Sequence, residues 1–257
     1  MLLVIDVGNT QIASGIFYEN KLTNSWRIRS EKNRTADELG IMFYNFIEHA
    51  GIKVSDIKGI AISNVVPPLT ITLSRMCKKY FNKEPFFIGP GIKTGMPILY
   101  DNPREVGADR IVNAVAAYNK YKKPLVIVDF GTATTFDCVS KKGEYLGGVI
   151  IPGIEISLEA LAERTAKLPK IELVKTEKVI GKNTVSAIQS GIIYGYAGMV
   201  DAICEKIKEE MNDRGLRFLA TGGLATIIAK ETTYIEAVEE HLTLEGLKLL
   251  YEMNVKE

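Results

Sequence analysis

Hydrophobic and polar positions in the first part of the chain follow the period of strands and then that of a helix. Residues 2–6 form an apolar run that ends in a carboxylate, which predicts a buried strand. Residues 11–18 and 21–29 predict two more strands, separated by a short polar turn. Thr35 opens a capping box, and apolar residues recur behind it at helical spacing. This order predicts an α/β fold.

Strands and helices continue to alternate toward the C-terminus. A polar loop at residues 99–110 runs into a helix that stops before Pro124. The other predicted strands are 57–63, 85–88, 145–151 and 217–221, and the other predicted helices are about 70–81, 157–164, 185–211 and 244–254.

The opening pattern returns near the middle of the chain. The apolar run and Asp-x-Gly turn of residues 2–9 recur at residues 125–132, and a second turn follows each copy at the same distance. One Asp-x-Gly turn is a weak signal, but two copies inside matching strand–turn–strand units indicate a duplicated fold. We therefore predict two domains, residues 1–118 and residues 119–257.

The first Asp-x-Gly turn has the composition of a phosphate and metal site. Gly8 lets backbone N–H groups approach an anion closely. Asn9, Thr10 and Gln11 offer neutral hydrogen bonds, and Asp6 can hold a hydrated Mg²⁺. The Gly-Asn pair is also typical of a plain hairpin turn. The second copy at Asp129 favours the phosphate site.

Composition narrows the class of protein. The chain has 257 residues, 46% of them hydrophobic, and a net charge of +1, which gives no electrostatic reason to expect nucleic acid or a membrane as a partner. Its three cysteines are far apart and suit a reduced compartment. No apolar stretch approaches the roughly 20 residues of a membrane span. We expect a soluble, cytoplasmic protein.

Several motifs together resemble a known superfamily. The two Asp-x-Gly hairpins and a late strand ending in Thr-Gly-Gly resemble the acetate and sugar kinase/Hsp70/actin superfamily. Within it, nearly the whole chain resembles the type III pantothenate kinases. The motifs that carry this resemblance are residues 6–10, 107–110, 129–134, 152–153, 184–191, 221–223 and 242–247. The block at residues 107–110 is the most specific of them.

The resemblance implies both a fold and a reaction. The fold is a tandem of duplicated ribonuclease H-like (actin-like ATPase) domains with an interdomain nucleotide cleft. The reaction is ATP-dependent phosphorylation of pantothenate to 4'-phosphopantothenate, the first step of coenzyme A biosynthesis. A homodimer is implied as well. The alternatives are a kinase or phosphatase of the same fold acting on another small substrate, and a non-enzymatic ATP-binding structural or regulatory protein.

The resemblance also assigns roles to individual residues. Asp109 is implied as the general base, Asp129 as the ligand of a monovalent cation (K⁺ or NH₄⁺), and Asp6 as a ligand of Mg²⁺ through water. The implied ATP and phosphate contacts are Asp6, Val7, Gly8, Asn9, Thr10, Gln11, Thr132, Gly222 and Gly223. The implied pantothenate contacts are Tyr100, Gly107, Ala108, Asp109, Arg110 and Thr184.

Some of these expectations also have simpler structural explanations. Asp109 also fits as an acidic residue in the first turn of a helix, with Arg110 as its solvated or ion-paired neighbour. Thr184 fits as the N-cap of the long helix that follows it. The glycines of that helix, Gly191, Gly195 and Gly198, indicate close packing, either in a dimer interface or within their own domain.

Overall fold

The computed structural model describes residues 1–255. The strands are β1 Leu2–Val7, β2 Gln11–Tyr18, β3 Lys21–Arg29, β4 Gly59–Asn64, β5 Phe86–Phe87, β6 Leu125–Phe130, β7 Ala133–Val139, β8 Tyr145–Pro152, β9 Arg217–Thr221 and β10 Ala237–Val238. The α-helices are α1 Ala36–His49, α2 Thr70–Phe81, α3 Ala108–Tyr121, α4 Ile154–Glu163, α5 Thr184–Met211, α6 Ala225–Ile228 and α7 Leu242–Asn254.

The chain folds into two compact units. Unit 1 is Met1–Asn119 with the described part of His241–Glu257, and unit 2 is Lys120–Glu240. Each contains one five-stranded sheet. The strand order is β3-β2-β1-β4-β5 in unit 1 and β8-β7-β6-β9-β10 in unit 2. The two orders correspond strand for strand, so the duplication predicted from the Asp-x-Gly turns extends to the whole sheet.

In unit 1, an antiparallel hairpin continues into parallel strands. β1 pairs antiparallel with β2 and parallel with β4, which places Asp6 beside Ala13 on one side and Ser63 on the other. Alternate residues of β1, including Leu3 and Ile5, join a buried core with α1 and α2. The predicted capping box begins α1: Thr35 accepts from the backbone N–H of Glu38, whose carboxylate accepts from that of Thr35.

The last helix, α7, belongs to unit 1. The predicted division instead includes it in the second domain, residues 119–257. α7 packs against β1, β2 and β4. The Leu244 side chain lies against Gly15 of β2, and the Tyr251 ring lies over Gly59 of β4. An amphipathic helix needs an apolar sheet face, but its position in the sequence does not say which of two similar sheets supplies that face. The chain therefore crosses back to unit 1 after β10.

In unit 2, the sheet repeats the register of the first. β6 pairs antiparallel with β7 and parallel with β9, so Asp129 lies between Thr135 and Thr221. Val126, Val128 and other residues on one face of the sheet form a buried core with α4, α5 and α6. Asp129 alternates with these residues and lies on the opposite face.

The N-terminus of α5 corrects one prediction. Asn183, not Thr184, is the N-cap: its side chain accepts from the backbone N–H of Ser186 at 2.9 Å, and the Ser186 hydroxyl lies 3.3 Å from the N–H of Asn183. Thr184 is the first residue of the helix and is exposed. Asn and Thr are both good caps, so the sequence alone did not distinguish these adjacent positions.

The glycines of α5 do not pack inside their own unit. Gly191, Gly195 and Gly198 are all exposed. A Cβ atom placed on any of them would meet nothing within 4 Å in the described chain. The prediction of close packing within the same domain is therefore wrong, which leaves this face of α5 open. None of the helices within residues 1–255 has the length and apolar character needed to cross a membrane.

Candidate active site

The first Asp-x-Gly turn joins β1 to β2 in unit 1. The backbone N–H of Gly8 donates to the carbonyl of Gln11 at 3.0 Å and closes the turn. Asn9, Thr10 and Gln11 are exposed. Val7 points into the core and is fully buried, so only its backbone can contact a ligand. The turn therefore presents polar side chains beside the carboxylate that ends the strand.

Asp6 carries an energetic penalty in the absence of a cation. Burial raises the pKa of its carboxyl from the ordinary 3.8 to about 7, and the negative charge of Asp109 contributes to this rise. The Ser63 hydroxyl and the Arg27 guanidinium act in the opposite direction. The Oδ1 atom of Asp6 and the Ser63 hydroxyl are buried without a hydrogen-bond partner at good geometry in residues 1–255. Ser63 therefore influences the carboxyl without a well-formed hydrogen bond.

Asp109 lies in the first turn of α3, within the same unit. Burial raises the pKa of its carboxyl, while the backbone N–H of Arg110 and the Arg110 guanidinium lower it. That N–H donates to Oδ1 of Asp109 at 2.9 Å. This contact is typical of an acidic residue at a helix N-terminus. Asp109 is half-buried, and Arg110 is buried, with 8% of the residue exposed, so Arg110 is not a solvated neighbour of Asp109. The ion-paired alternative agrees with the effect of Arg110 on the pKa of Asp109.

Gly107 leaves the space that the Asp109 carboxylate occupies. A Cβ atom on Gly107 would lie 2.5 Å from Oδ1 of Asp109, which is far inside a normal contact distance. A larger residue at this position would therefore push the carboxylate aside. Ala108 begins α3, and Tyr100 is half-buried in the preceding loop. The structure thus groups Asp6, Asp109 and Arg110 in unit 1.

The second Asp-x-Gly turn joins β6 to β7 in unit 2. Gly131 is exposed and Thr132 is half-buried. The cap of α4, Gly153, lies directly against this turn: a Cβ atom there would overlap the carbonyl oxygen of Thr132 and lie 2.6 Å from that of Gly131. α4 therefore begins beside the turn, and a helix N-terminus favours negative charge.

Gly222 closes on the Asp129 carboxylate in the same unit. It has φ +96°, and a Cβ atom there would lie 2.6 Å from Oδ1 of Asp129 and 2.6 Å from the carbonyl oxygen of Phe130. Only glycine fits this combination of positive φ and close approach. Gly223 has open space at its Cβ position. Two oxygens, one of them charged, thus converge beside the backbone of β9.

Both carboxylate sites fit hard cations, but of different charge. Among the described residues no group of three or more His, Cys, Asp or Glu side chains could hold a metal ion. Asp129 with carbonyl oxygens offers one negative charge and oxygen ligands, which suits a monovalent cation. Asp6 offers a buried oxygen that lacks a partner, with a second carboxylate near it. This set suits Mg²⁺ that keeps most of its waters.

Thr184 lies in unit 2, where it lines a groove of ≈ 630 Å³. The groove is mainly apolar. Its lining residues are Leu161, Leu168, Gly181, Lys182, Asn183, Thr184, Ala187, Ile188, Gly191 and Ile192. Thr184 therefore lies in the wall of this groove, and it does not cap the helix.

Two residues that act on Asp6 were not predicted from the sequence. Ser63 is its neighbour on β4, and Arg27 lies in the same row of the sheet, across from Ala13 on β3. Both positions depend on strand pairing, which the sequence did not reveal. The only signal in the sequence for such a contact was Arg27, a basic residue on the third strand of the repeated unit.

The sequence matches a family model described as type III pantothenate kinase over residues 2–206. The chain belongs to the type III pantothenate kinase family. A relative named type III pantothenate kinase, from Geobacter sulfurreducens, is 56% identical over 254 residues, which cover 99% of each chain. The family predicted from the motifs is therefore confirmed, and with it the class of enzyme, a phosphotransferase.

Solved structures confirm the fold of this family member. One, assigned as a 2-dehydro-3-deoxygalactonokinase from Sinorhizobium meliloti, has a TM-score of 0.61 at 10% identity and covers 100% of this chain and 98% of its own. Another, assigned to the Baf family of transcriptional activators from Campylobacter jejuni, has a TM-score of 0.56 at 18% identity, with 97% of each chain covered. At these identities the likeness concerns the sugar kinase and actin-like ATPase fold alone.

Proposed function

We propose that this protein transfers the γ-phosphoryl group of ATP to the hydroxyl of pantothenate, giving 4'-phosphopantothenate and ADP as the first step of coenzyme A biosynthesis. Family membership supports the reaction. The observation that carries the residue roles is the pair of half-buried carboxylates in unit 1, Asp6 and Asp109, each with a raised pKa. Perturbed carboxyl groups of this kind are typical of functional sites.

The two turns bind phosphate in this proposal. Gly8–Gln11 and Thr132 donate to phosphate oxygens, and Gly222 with Gly223 leaves the backbone flat against the adenosine. Asp6 holds Mg²⁺ through water, which relieves the charge that burial and Asp109 place on this carboxylate. When bound, Mg²⁺ neutralises charge on the phosphates. Phosphoryl transfer depends mostly on such positioning and neutralisation.

Asp109 acts as the general base. Its carboxylate accepts the hydroxyl proton of pantothenate while the hydroxyl oxygen forms a bond to the γ-phosphorus and the bond to ADP breaks. The raised pKa supports this role, because a base works best when its pKa lies near the working pH. The positive charge of Arg110 favours the ionised form of this carboxyl and opposes the rise in its pKa.

The remaining substrate contacts surround this base. Tyr100, Gly107, Ala108 and Arg110 hold pantothenate, and Thr184 contributes a further contact from its groove in unit 2. Asp129 binds K⁺ or NH₄⁺, with the Phe130 carbonyl oxygen close to it. This cation supplies positive charge where the second phosphate turn carries no basic side chain between Asp129 and Cys138.

A homodimer forms through the open face of α5. Its three exposed glycines allow close approach, and exposed apolar side chains lie on or near the same helix, including Ile180 at 83%, Val185 at 41% and Met199 at 36%. We expect sedimentation to show a dimer that Gly195→Arg converts to a monomer. The protein works in the cytoplasm, where its three buried thiols stay reduced.

A substrate panel tests the reaction. ADP release is measured with ATP, Mg²⁺ and K⁺, with and without pantothenate and with sugars, acetate and glycerol as competing acceptors. We expect turnover only with pantothenate, and a product whose mass is that of 4'-phosphopantothenate. Turnover without an acceptor, or a preference for a sugar, would contradict the proposal.

A further inference from the structure

A buried carboxylate in unit 2 has no role in the functions described above. Asp137 lies in β7 and is completely buried. Each of its oxygens accepts from a hydroxyl: Tyr145 donates to Oδ1 at 2.7 Å, and Thr135 donates to Oδ2 at 3.1 Å. A buried carboxylate is costly unless it is hydrogen-bonded, so these two contacts help to hold it in place.

The sheet register links this carboxylate to Asp129. Thr135 is the direct cross-strand neighbour of Asp129 in the antiparallel pair of β6 and β7. Directly opposed residues share one face of a sheet, with Cβ atoms about 5 Å apart. Asp137 is two residues along β7 and lies on that face as well. Thr135 is half-buried and therefore lies between the buried carboxylate and the partly exposed one.

The hydrogen bond decides what Thr135 can offer to Asp129. A hydroxyl has one hydrogen to donate and two lone pairs with which to accept. In the contact at 3.1 Å the Thr135 hydroxyl donates to Oδ2 of Asp137, so its one hydrogen is used there. Without Asp137, the same hydroxyl would donate to Asp129 and compete with a cation. With Asp137 present, the hydroxyl oxygen keeps its lone pairs for another partner.

We propose that Thr135 is a further ligand of the monovalent cation at Asp129, and that Asp137 is a positioning residue that fixes the Thr135 hydroxyl as an acceptor. The site then contains the Asp129 carboxylate, the Phe130 carbonyl oxygen and the Thr135 hydroxyl, which are all oxygen ligands carrying one negative charge. This inference rests on the proposed cation site at Asp129. Asp137 controls cation affinity without touching the cation.

The test measures cation binding apart from catalysis. Thallium(I) serves as the K⁺ probe, and its NMR signal is titrated with the full-length protein while K⁺ competes for the site. We expect Thr135→Val and Asp137→Asn each to weaken binding about tenfold, as is usual when a supporting group of a metal site is lost. Thr135→Ser keeps the hydroxyl and should restore binding close to wild type.

A double variant separates direct from indirect action. If Asp137 acts through Thr135, then Asp137→Asn should cause no further loss of affinity in the Thr135→Val background. Thr134→Val is the matched control, because this buried threonine is the adjacent residue on β7 and its hydroxyl has no hydrogen-bond partner within residues 1–255. It should bind thallium(I) like wild type. In the ADP-release assay, Thr135→Val and Asp137→Asn should raise the K⁺ concentration needed for half-maximal activation, while kcat at saturating K⁺ changes little.

Several results would overturn the inference. Wild-type affinity in Thr135→Val would show that the hydroxyl only satisfies the buried carboxylate, and additive losses in the double variant would show that Asp137 acts on its own. If Asp137→Asn does not fold, the contrast between Thr135→Val and Thr135→Ser still decides. A wild-type protein that phosphorylates pantothenate without binding thallium(I) or K⁺ overturns this inference and the cation site at Asp129, but leaves the proposed reaction intact. Cation binding without pantothenate kinase activity overturns the proposed function instead.

Discussion

Replacing Asp6 with asparagine should stabilise unit 1 while abolishing catalysis. The folded Asp6 carboxyl has a pKa of about 7, against an ordinary value of 3.8. A tenfold change in an ionisation constant corresponds to about 1.4 kcal/mol, so ionising this group in the cation-free protein costs roughly 4 kcal/mol. Asn keeps the size of the side chain and removes the charge. Functional carboxylates commonly reduce stability in this way.

The sign of the pH dependence follows from the raised pKa. Below about pH 4 the Asp6 carboxyl is protonated in both the folded and the unfolded chain, so its ionisation does not reduce the stability of the folded state. As the pH rises from there through 7, wild-type protein loses stability because the unfolded chain ionises more readily. Asp6→Asn lacks this loss. At pH 8 it should be more stable than wild type by about 2–4 kcal/mol, which allows for relaxation around the charge.

Trp26 makes this measurement specific to unit 1. It is the only tryptophan in the chain and stacks on Phe46 with ring centroids 5.6 Å apart. Its fluorescence is followed during urea unfolding in EDTA, without nucleotide, from pH 4 to pH 9. The control is Asp37→Asn, because hydrogen bonds from Lys79 and Tyr80 lower the pKa of Asp37, so this variant should lose stability near neutral pH. Parallel pH profiles for wild type and Asp6→Asn would show that the Asp6 charge does not destabilise the fold.

The other predictions concern backbone fit and the last helix. Gly222→Ala forces a Cβ atom against the Phe130 carbonyl at positive φ, and should cost about 1–3 kcal/mol in thermal or urea unfolding, whereas Gly223→Ala, with open space, should cost less. Gly107→Ala should displace the Asp109 carboxylate and lower kcat roughly 100-fold, with thermal stability near wild type as the check on folding. Deleting residues from Leu242 onward removes four buried leucines, each of which stabilises the fold by about 1.5–3 kcal/mol. Unit 1 of this variant should be unfolded, with the Trp26 fluorescence of an unfolded chain. Native Trp26 fluorescence would contradict the packing of α7.

The elements of the fold were largely predictable because their signals are local. Apolar runs and alternating apolar residues located β2, β3 and β9 with the bounds that the structure shows, and the capping box located the start of α1. The Asp-x-Gly repeat led to the duplicated sheet because one strand–turn–strand unit fits within a short window of sequence. Local chemistry of this kind does not depend on the rest of the chain.

Features that depend on distant parts of the chain were not predictable. α7 follows β10 but packs on the sheet of unit 1, and nothing in its apolar stripe indicates which sheet it covers. Ser63 lies beside Asp6 only because β1 and β4 are parallel neighbours. The Tyr145 contact of Asp137 likewise requires the pairing of β7 with β8.

The activity of Asp109→Asn decides whether the half-buried carboxylate at the start of α3 is the base of the reaction. Asn keeps the shape of the side chain but cannot accept the hydroxyl proton of pantothenate, so kcat should fall by about 10²–10⁴, the usual contribution of general base catalysis. ATP affinity, measured on the same samples by calorimetry, should stay close to that of wild type, because Asp109 is not among the residues proposed to hold the nucleotide. A variant that phosphorylates pantothenate at the wild-type rate would contradict the assignment of Asp109 as the base.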